Sequence, residues 1–199
     1  MTILFAALAY FIGAIPTGYL FFRASEKKDI RSFGSQATGA TNVLRLKGWR
    51  YALPVALVDI AKGFLPAFLA LRIFADPVLA VVCASLAVLG HCFPIYIGFK
   101  GGKGVATAAG AMFAIAPGPA LLSLAVFVAT IALTRYVSLG SILAAFSFPF
   151  FMELFHMRFV LITLTSPILL IIIIRHAENI RRLLSGTERK FGRKTETIE

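Results

Sequence analysis

Two loops of this sequence combine glycine, hydroxyl and basic residues in a way that suits phosphate binding. The first is GSQATGATNVLR, residues 34–45. Small residues leave backbone amides free to form an anion nest, and an arginine fork binds phosphate through two hydrogen bonds. Its candidate ligands are the amides and hydroxyl groups of its small residues, together with Arg45. On composition alone, a flexible polar linker explains this loop equally well.

The second loop is FKGGKGVAT, residues 99–107, directly before an apolar segment. Glycines let the backbone approach a phosphate, the helix end that follows offers unpaired amides, and a lysine supplies a point charge. A Walker loop is excluded because Ile97 and Gly104 stand where it needs Gly and Ser or Thr. The candidate residues are Gly101, Gly102, Lys103 and Gly104. A tight basic turn is the simpler alternative.

A third polar stretch, HAENIRRLLSGTE at residues 176–188, follows the last apolar segment. On a helix, His176 and Asn179 share a face, and Glu178 can pair with Arg182. A histidine at a membrane interface often only anchors the helix end. Beside an amide and two phosphate-type loops, His176 becomes a candidate acid, base or oxyanion donor.

Smaller signals lie in and near the apolar segments. Ser141 ends RYVSLGS at residues 135–141, where a hydroxyl more often fills helix packing. His91 either positions a loop or contacts a ligand. Asp59 and Lys62 are three residues apart in an apolar run, so we expect them to face the protein interior as an ion pair.

The composition indicates that the apolar segments of this protein lie in a membrane. Hydrophobic residues make up 59% of the 199 residues, charged residues only 15%, and the mean hydropathy is +0.86. A soluble domain of this size cannot bury so many apolar runs. The net charge is +11, but the charges cluster between apolar segments and no aromatic-basic platform is present, so no nucleic-acid partner is expected.

The apolar segments predict an all-α integral membrane protein with about seven transmembrane helices. A crossing needs about 20 residues, and the clear candidates are 2–22, 51–73, 78–97, 137–155 and 159–174. Residues 105–134 would span about 45 Å as one helix. Pro117-Gly118-Pro119 interrupts them, which predicts two crossings, the first a short, broken fourth helix.

The basic residues orient these seven helices. With seven crossings, 17 Lys and Arg residues fall on one side, in loops 23–50 and 98–104, at Arg135 and in the tail 175–199. The positive-inside rule makes that side cytoplasmic and puts the amino terminus outside. We therefore predict one polytopic membrane domain over residues 1–199, with a short cytoplasmic helix and a mobile end after residue 174. Cys83 and Cys92 lie in one apolar segment and suggest neither a disulfide nor a metal site.

Taken together, the three polar stretches resemble the acyl-phosphate glycerol-3-phosphate acyltransferases of the PlsY type over nearly the whole chain. Residues 35–45 look like the family's first motif, GGKGVAT at 101–107 its second, and 176–188 its third. The sequence departs from the motifs at Gln36, Ala37 and Ala177, so no role is carried over to those positions.

The resemblance implies transfer of a fatty acyl group from acyl phosphate to the 1-hydroxyl of glycerol 3-phosphate at the cytoplasmic face of the bacterial inner membrane. It implies no cofactor, no metal, and no requirement for CoA or acyl carrier protein. The implied catalytic residues are Ser35, Arg45, Lys103, His176 and Asn179. The implied substrate-binding residues are Gly39, Thr41, Asn42, Gly101, Gly102, Gly104, Thr107, Ser141 and Glu188.

Of three alternative functions, the sequence excludes one and leaves two open. An acyltransferase of the His-x4-Asp kind is excluded, because Tyr96, Leu161 and Arg181 follow the three histidines at that spacing. A small anion or phosphate transporter would place polar residues through the membrane and often contain an inverted repeat; here the polar candidates crowd one face. A noncatalytic membrane scaffold would require neither His176 with Asn179 nor two phosphate-type loops.

Overall fold

The computed structural model describes residues 1–192, which form a helical bundle without β-strands in that range. Two short 3₁₀ helices, Ile30–Ser32 and Ile95–Ile97, lie in the connections. The α-helices are α1 Thr2–Gly13, α2 Thr17–Glu26, α3 Ala40–Lys47, α4 Trp49–Phe74, α5 Pro77–Cys92, α6 Val105–Ile115, α7 Pro117–Thr134, α8 Val137–Leu154, α9 Phe159–Arg175 and α10 Ala177–Leu184.

Several of these helices, alone or joined to a neighbour, are long and apolar enough to cross a membrane. Within residues 1–192 there are five such spans, formed by α1 with α2, by α4, by α5 and its extension to Ile97, by α7 and by α8. The pair α9 and α10, bent by 55°, is a sixth candidate, and α9 is its apolar part. The predicted all-helical membrane architecture is confirmed, whereas a seventh crossing by the short α6 stays a prediction.

The predicted break in the fourth apolar segment is present. Helix α6 ends at Ile115 after 11 residues, and α7 begins at Pro117. Ala116 between them has φ −148° and ψ 80°, which is not helical. Proline is accepted in the first turn of a helix because its missing N–H would have no partner there. The Pro-Gly-Pro sequence therefore starts the second helix as well as ending the first.

The first apolar segment differs from the continuous helix predicted over residues 2–22. It is interrupted between Gly13 and Thr17. Pro16 lacks an N–H and disfavours the helical conformation of Ile15 before it. The carbonyl of Ile15 accepts hydrogen bonds from the N–H of Thr17 at 3.0 Å and from Nζ of Lys62, 2.8 Å away on α4. This buried lysine thus compensates for the interruption.

The predicted cytoplasmic tail is ordered over most of its described length. Helix α10 confirms the short helix predicted after the last span. Residues 185–192 then fold back onto the bundle, where the N–H of Phe191 donates to the carbonyl of Arg135 at 2.6 Å. The sequence predicted a mobile end after this helix, and the last part of the tail, residues 193–199, lies outside the described residues.

Helices α4 and α6 pack closely through glycines. A Cβ atom added to Gly63 would lie 1.9 Å from the carbonyl oxygen of Thr107, and one added to Gly110 would lie 2.0 Å from that of Ile60. Small residues permit such approach of membrane helices, for which dispersion rather than hydrophobic burial supplies most of the attraction. Since α6 directly follows the second polar loop, this contact fixes the loop against the bundle.

We expect Gly63→Ala to destabilise the protein by about 1–3 kcal/mol, because a methyl group would push two backbones apart. Thermal unfolding of the protein in detergent measures the effect as a lower Tm. Gly39→Ala is the matched control, since φ is −81° at Gly39 and no atom lies within 4 Å of an added Cβ. Equal Tm values for the two variants would contradict the close-packing interpretation.

Candidate active site

The three polar stretches surround one cavity of about 480 Å³. Loop 34–45 and α3 form one wall, the loop before α6 another, and α8 with the end of α9, α10 and the tail the third. The polar or glycine lining residues are Ser35, Gly39, Thr41, Asn42, Arg45, Asp59, His91, Lys103, Gly104, Ser123, Ser138, Ser141, His176, Asn179 and Glu188. The tertiary structure therefore brings together residues up to 153 positions apart in the sequence, from Ser35 to Glu188.

Asn42 organises the first loop from inside. Its Oδ1 accepts a hydrogen bond from the N–H of Ser35 at 2.9 Å, and its Nδ2 donates to the carbonyls of Phe33 at 3.1 Å and Ala37 at 3.0 Å. The residue is 1% exposed. Gly34 has φ +59°, and a Cβ there would lie 2.4 Å from Asn42 Oδ1. The asparagine thus braces the loop, while a direct contact with substrate stays a prediction.

The first loop ends in a helix that the sequence analysis did not predict. Helix α3 begins after Gly39, and its first residues, Ala40 and Thr41, line the cavity. Arg45 stands further along the same helix and also lines the cavity. The helix dipole and the guanidinium both favour an anion there.

Arg45 is free to bind such an anion. It makes no hydrogen bond or ion pair with the residues that the structure describes. Burial lowers its pKa below the ordinary value of an arginine, because a partly enclosed guanidinium loses hydration. An arginine remains charged at any physiological pH. A half-buried cation facing a cavity without a partner is the arrangement expected of an anion site.

Lys103 is held at the cavity by a chain of polar side chains. Its Nζ donates to Oδ1 of Asn179, and Nδ2 of Asn179 donates to Oε1 of Glu188 at 2.7 Å. Burial lowers the pKa of Lys103 to about 8; the nearby Glu188 opposes this, and the charges of Arg182 and Arg45 add to it. Lys103 is therefore charged at neutral pH and loses that charge as the pH rises through 8.

Glu188 holds the other end of this series of hydrogen-bonded side chains in place. Besides Asn179, it accepts hydrogen bonds from Oγ of Ser138 and Nε of Arg182, each at 2.8 Å. These donors outweigh the effect of burial and lower the pKa of Glu188, so it stays ionised. Arg182 also lies 3.6 Å from Glu178, as predicted. Ser138 and Arg182 were not predicted as site residues, since only the folded tail brings Glu188 to them.

In the second loop, the backbone groups of Gly101 and Gly102 make hydrogen bonds within the protein. The N–H groups of Gly101 and Gly102 donate to the carbonyls of Cys92 and His91, at 3.2 and 3.1 Å. Their own carbonyls accept from Arg175, at 2.9 and 3.0 Å. Neither N–H group is therefore free to bind a phosphate, and a direct contact of these two glycines with substrate stays a prediction. They lie outside the cavity lining and hold Lys103 in place instead.

The remaining residues of this loop divide in the same way. Gly104 lines the cavity with φ +80°, a left-handed conformation that suits glycine, and α6 begins directly after it. Thr107, by contrast, is fully buried outside the cavity lining, and its main chain faces Gly63. Thr107 thus contributes to helix packing in this structure.

His176 stands at the junction of α9 and α10 with a defined tautomer. Its Nδ1 lies 2.8 Å from the carbonyl of Ile172, which can only accept, so Nδ1 carries the proton. Burial, assisted by the charge of Lys103, lowers its pKa to about 4, and the imidazole is neutral at pH 7. Its Nε2 is consequently an unprotonated acceptor, free of partners among the described residues.

Below its polar end, the cavity continues as an apolar shaft. Side chains of α6, α7 and α8 form it, namely Met112, Phe113, Leu124, Phe127, Ile131 and Ala144. Ser141 also lines the cavity but donates its hydroxyl to the carbonyl of Val137 at 2.8 Å, which satisfies it within its own helix. The cavity as a whole thus combines a cationic end with an apolar end, as an amphiphilic ligand would require.

The tail crosses the mouth of this cavity. Phe191 lines it and packs edge-on against Trp49, with 6.4 Å between ring centres. Its carbonyl accepts from Nη2 of Arg135 at 3.0 Å. No group of three His, Cys, Asp or Glu side chains within residues 1–192 is arranged to hold a metal ion.

Comparison with known proteins agrees with this architecture. Residues 3–186 match the sequence model of the family described as glycerol-3-phosphate acyltransferase. The chain belongs to that family. Curated relatives of that name include one from Geobacter sulfurreducens, 46% identical over 95% of this chain and 97% of the relative. Another, from Fusobacterium nucleatum, is 42% identical over 94% and 96%.

Two crystal structures of PlsY, an integral membrane glycerol 3-phosphate acyltransferase, are also similar to this chain. One, in the glycerol 3-phosphate form, has a TM-score of 0.92 and 40% sequence identity over 96% of both chains. The other, in the lysophosphatidic acid form, has a TM-score of 0.89 and 39% identity. The family resemblance predicted from the three motifs is confirmed, and the chain is an integral membrane protein of several helices.

Proposed function

We propose that this protein transfers a fatty acyl group from acyl phosphate to the 1-hydroxyl of glycerol 3-phosphate. The products are 1-acylglycerol 3-phosphate, a lysophosphatidic acid, and inorganic phosphate. One observation carries the proposal: a single cavity joins Arg45 and Lys103 at a polar end to an apolar shaft between α6, α7 and α8. Phosphate groups fit the first part and a fatty chain fits the second.

The names of the related structures support this assignment. They describe a glycerol 3-phosphate form and a lysophosphatidic acid form of one enzyme. The first ligand is the proposed acceptor and the second the proposed product. Both carry a phosphate, and the product adds an acyl chain, so a cavity with one cationic and one apolar end suits the pair.

The chemistry requires little from the protein beyond positioning and charge stabilisation. The 1-hydroxyl oxygen attacks the carbonyl carbon of acyl phosphate, the bond from that carbon to the phosphate oxygen breaks, and phosphate leaves. The hydroxyl proton ends on the departing phosphate, so no protein base is obligatory. Lys103, Arg45, Ser35 and the first amides of α3 would hold the two phosphate groups against mutual repulsion.

His176 and Asn179 complete this arrangement. The unprotonated Nε2 of His176 can accept a hydrogen bond from the attacking hydroxyl and so orient its lone pair toward the carbonyl carbon. Asn179 gives one amide hydrogen to Glu188, and its second amide hydrogen can stabilise charge on the carbonyl oxygen. Its Oδ1 at the same time holds Lys103.

We expect His176→Asn to lower kcat by about ten- to a hundredfold. The asparagine amide can take over the Nδ1 hydrogen bond to Ile172 but offers nothing at the position of Nε2. Steady-state rates with both substrates measure the loss, and an unchanged Tm shows that the helix junction is intact. The control is His156→Asn, at an exposed histidine after α8. Wild-type kcat in His176→Asn would refute the orienting role.

The location of the site belongs to the same proposal. Seven crossings, with α6 as the short fourth, put the amino terminus outside and all three motifs at the cytoplasmic face of the bacterial inner membrane. Residues 1–199 then form one membrane domain. Cysteines introduced singly at exposed Lys28, Lys100 and Arg181 are expected to react with a membrane-impermeant maleimide only in inverted vesicles.

A transporter explains the site less well. An anion pathway needs polar groups through the membrane, whereas the shaft below Lys103 and Arg45 is lined mainly by apolar side chains. The apolar shaft would have no part in carrying phosphate. An acyltransferase uses both ends of the cavity.

The donor assignment is tested with the purified protein in detergent or liposomes. Acyl phosphate with glycerol 3-phosphate is expected to give 1-acylglycerol 3-phosphate and equimolar phosphate, detected by mass spectrometry and a phosphate assay. Acyl-CoA and acyl carrier protein thioesters serve as alternative donors. Product from acyl-CoA but not from acyl phosphate would overturn the proposal.

A further inference from the structure

A buried charged cluster lies beneath the second loop, outside the groups that the proposed mechanism uses. Oδ1 of Asp59 on α4 lies 2.8 Å from Nζ of Lys62 and 3.6 Å from Nδ1 of His91 on α5. The side chains of all three are at most 6% exposed. Asp59 and His91 also line the cavity.

His91 forms the surface on which the loop lies. A Cβ atom added to Gly102 would be 2.2 Å from Nε2 of His91, so the glycine backbone packs directly on the imidazole edge. The carbonyl of His91 also accepts the N–H of Gly102. Arg175 in turn binds the carbonyls of Gly101 and Gly102. The residue that follows this clamped pair is Lys103.

The cluster is more polar than packing requires. Oδ1 of Asp59 pairs with Nζ of Lys62 at 2.8 Å, whereas Oδ2 of Asp59 and Nδ1 of His91 have no hydrogen-bond partner among the described residues. Lys62, in contrast, is satisfied by the carbonyl of Ile15. Unpaired polar groups inside a membrane protein are costly, and apolar residues of similar size often stabilise such a site. The Asp59 carboxylate is costly to bury, yet it lies 3.6 Å from the imidazole of His91, which supports the loop. This placement points to a role beyond packing.

We propose that Asp59 and His91 are positioning residues for Lys103. The Asp59 carboxylate orients the imidazole of His91 through its Nδ1 side. The imidazole supports the backbone of Gly102, and the position of that backbone determines where the ammonium of Lys103 lies in the cavity. This inference rests on the proposed acyl transfer, in which Lys103 holds a substrate phosphate. Neither residue reacts with substrate in this scheme.

The test separates positioning from folding by removing both charges of the ion pair at once. In Asp59→Leu/Lys62→Met the ion pair is replaced by apolar side chains of similar size, and the carbonyl of Ile15 loses Lys62 but keeps the N–H of Thr17 as donor, so the expected Tm lies within a few degrees of that of the wild type. His91 loses its carboxylate. The expected kinetic result is a rise of about tenfold in KM for glycerol 3-phosphate or for acyl phosphate, since small displacements of a binding group are costly.

A second variant shows whether Asp59 acts through His91. His91→Phe keeps a ring under Gly102 but has no Nδ1 for a carboxylate to orient, and it is expected to raise the same KM. Combining it with Asp59→Leu/Lys62→Met is expected to add no further loss, because the two changes break one interaction. A purely structural role predicts additive losses of Tm instead.

The outcomes are distinguishable from failure of the proposed function. A wild-type protein that does not transfer from acyl phosphate defeats the function itself. A wild-type protein that does, together with a stable Asp59→Leu/Lys62→Met variant whose two KM values and kcat stay within about twofold of it, overturns the positioning role alone. Full additivity in the combined variant likewise overturns it.

Discussion

Lys103→Met is expected to lower kcat/KM by roughly 10²- to 10³-fold, the largest effect of any single change in this protein. The ammonium lies in a largely buried position, fixed by Asn179 and by the clamped glycines. Removing one partner of a buried, hydrogen-bonded charge pair costs about 3–4 kcal/mol, which corresponds to that factor. The substrate phosphate would remain without its countercharge.

The measurement is the initial rate of 1-acylglycerol 3-phosphate formation with each substrate varied in turn. Lys100→Met is the matched control: Lys100 lies three residues earlier in the same loop, but its side chain is exposed and does not line the cavity. The Lys100→Met control therefore removes one positive charge from the same loop, as Lys103→Met does. Comparable losses in the two variants would mean that the general positive field, rather than the place of Lys103, binds phosphate.

The pH dependence gives the same assignment a second test. Burial lowers the pKa of Lys103 to about 8, and the charged form is the one that binds phosphate, so kcat/KM falls as the pH rises above 8. Lys103→Arg keeps its charge at every pH in this range. Its absolute rate is lower because a planar fork replaces a point charge, but the alkaline decline near pH 8 is expected to disappear. Persistence of that decline would assign it to another group.

Arg45→Met is expected to lower kcat/KM by about 10²-fold, which corresponds to nearly 3 kcal/mol for the loss of a bidentate phosphate contact. Arg45 makes no ion pair with the described residues, so its removal leaves no buried carboxylate unpaired. The loss should therefore appear in catalysis without a fall in Tm. Arg45→Lys keeps the charge but not the fork and should recover only part of the activity.

The experiment on Arg45 also assigns the two phosphate groups. If α3 and Arg45 hold glycerol 3-phosphate, its KM rises in Arg45→Met while that of acyl phosphate changes little; the reverse pattern assigns acyl phosphate. Arg50→Met, at an exposed arginine near the start of α4, is the control. Unchanged KM values and kcat for both substrates would exclude Arg45 from phosphate binding.

The sequence by itself determined that the protein lies in a membrane, that it is helical, and which chemical type of site it contains. Apolar runs of about 20 residues allow little other than membrane helices, because the backbone must satisfy its own hydrogen bonds in lipid. The break at Pro117 was predictable because proline has a fixed backbone geometry. The cationic loops were identifiable because glycine, arginine and lysine act through local properties that do not depend on distant residues.

The tertiary structure decided which candidates share the cavity and what each one does there. Gly101 and Gly102 look like phosphate ligands in sequence, yet their amides are taken by the carbonyls of His91 and Cys92. Ser138 acquires a role only because the tail returns Glu188 to α8. Hydrogen-bond partners are set by how helices pack, and packing depends on contacts between residues far apart in the chain, which local sequence patterns do not encode.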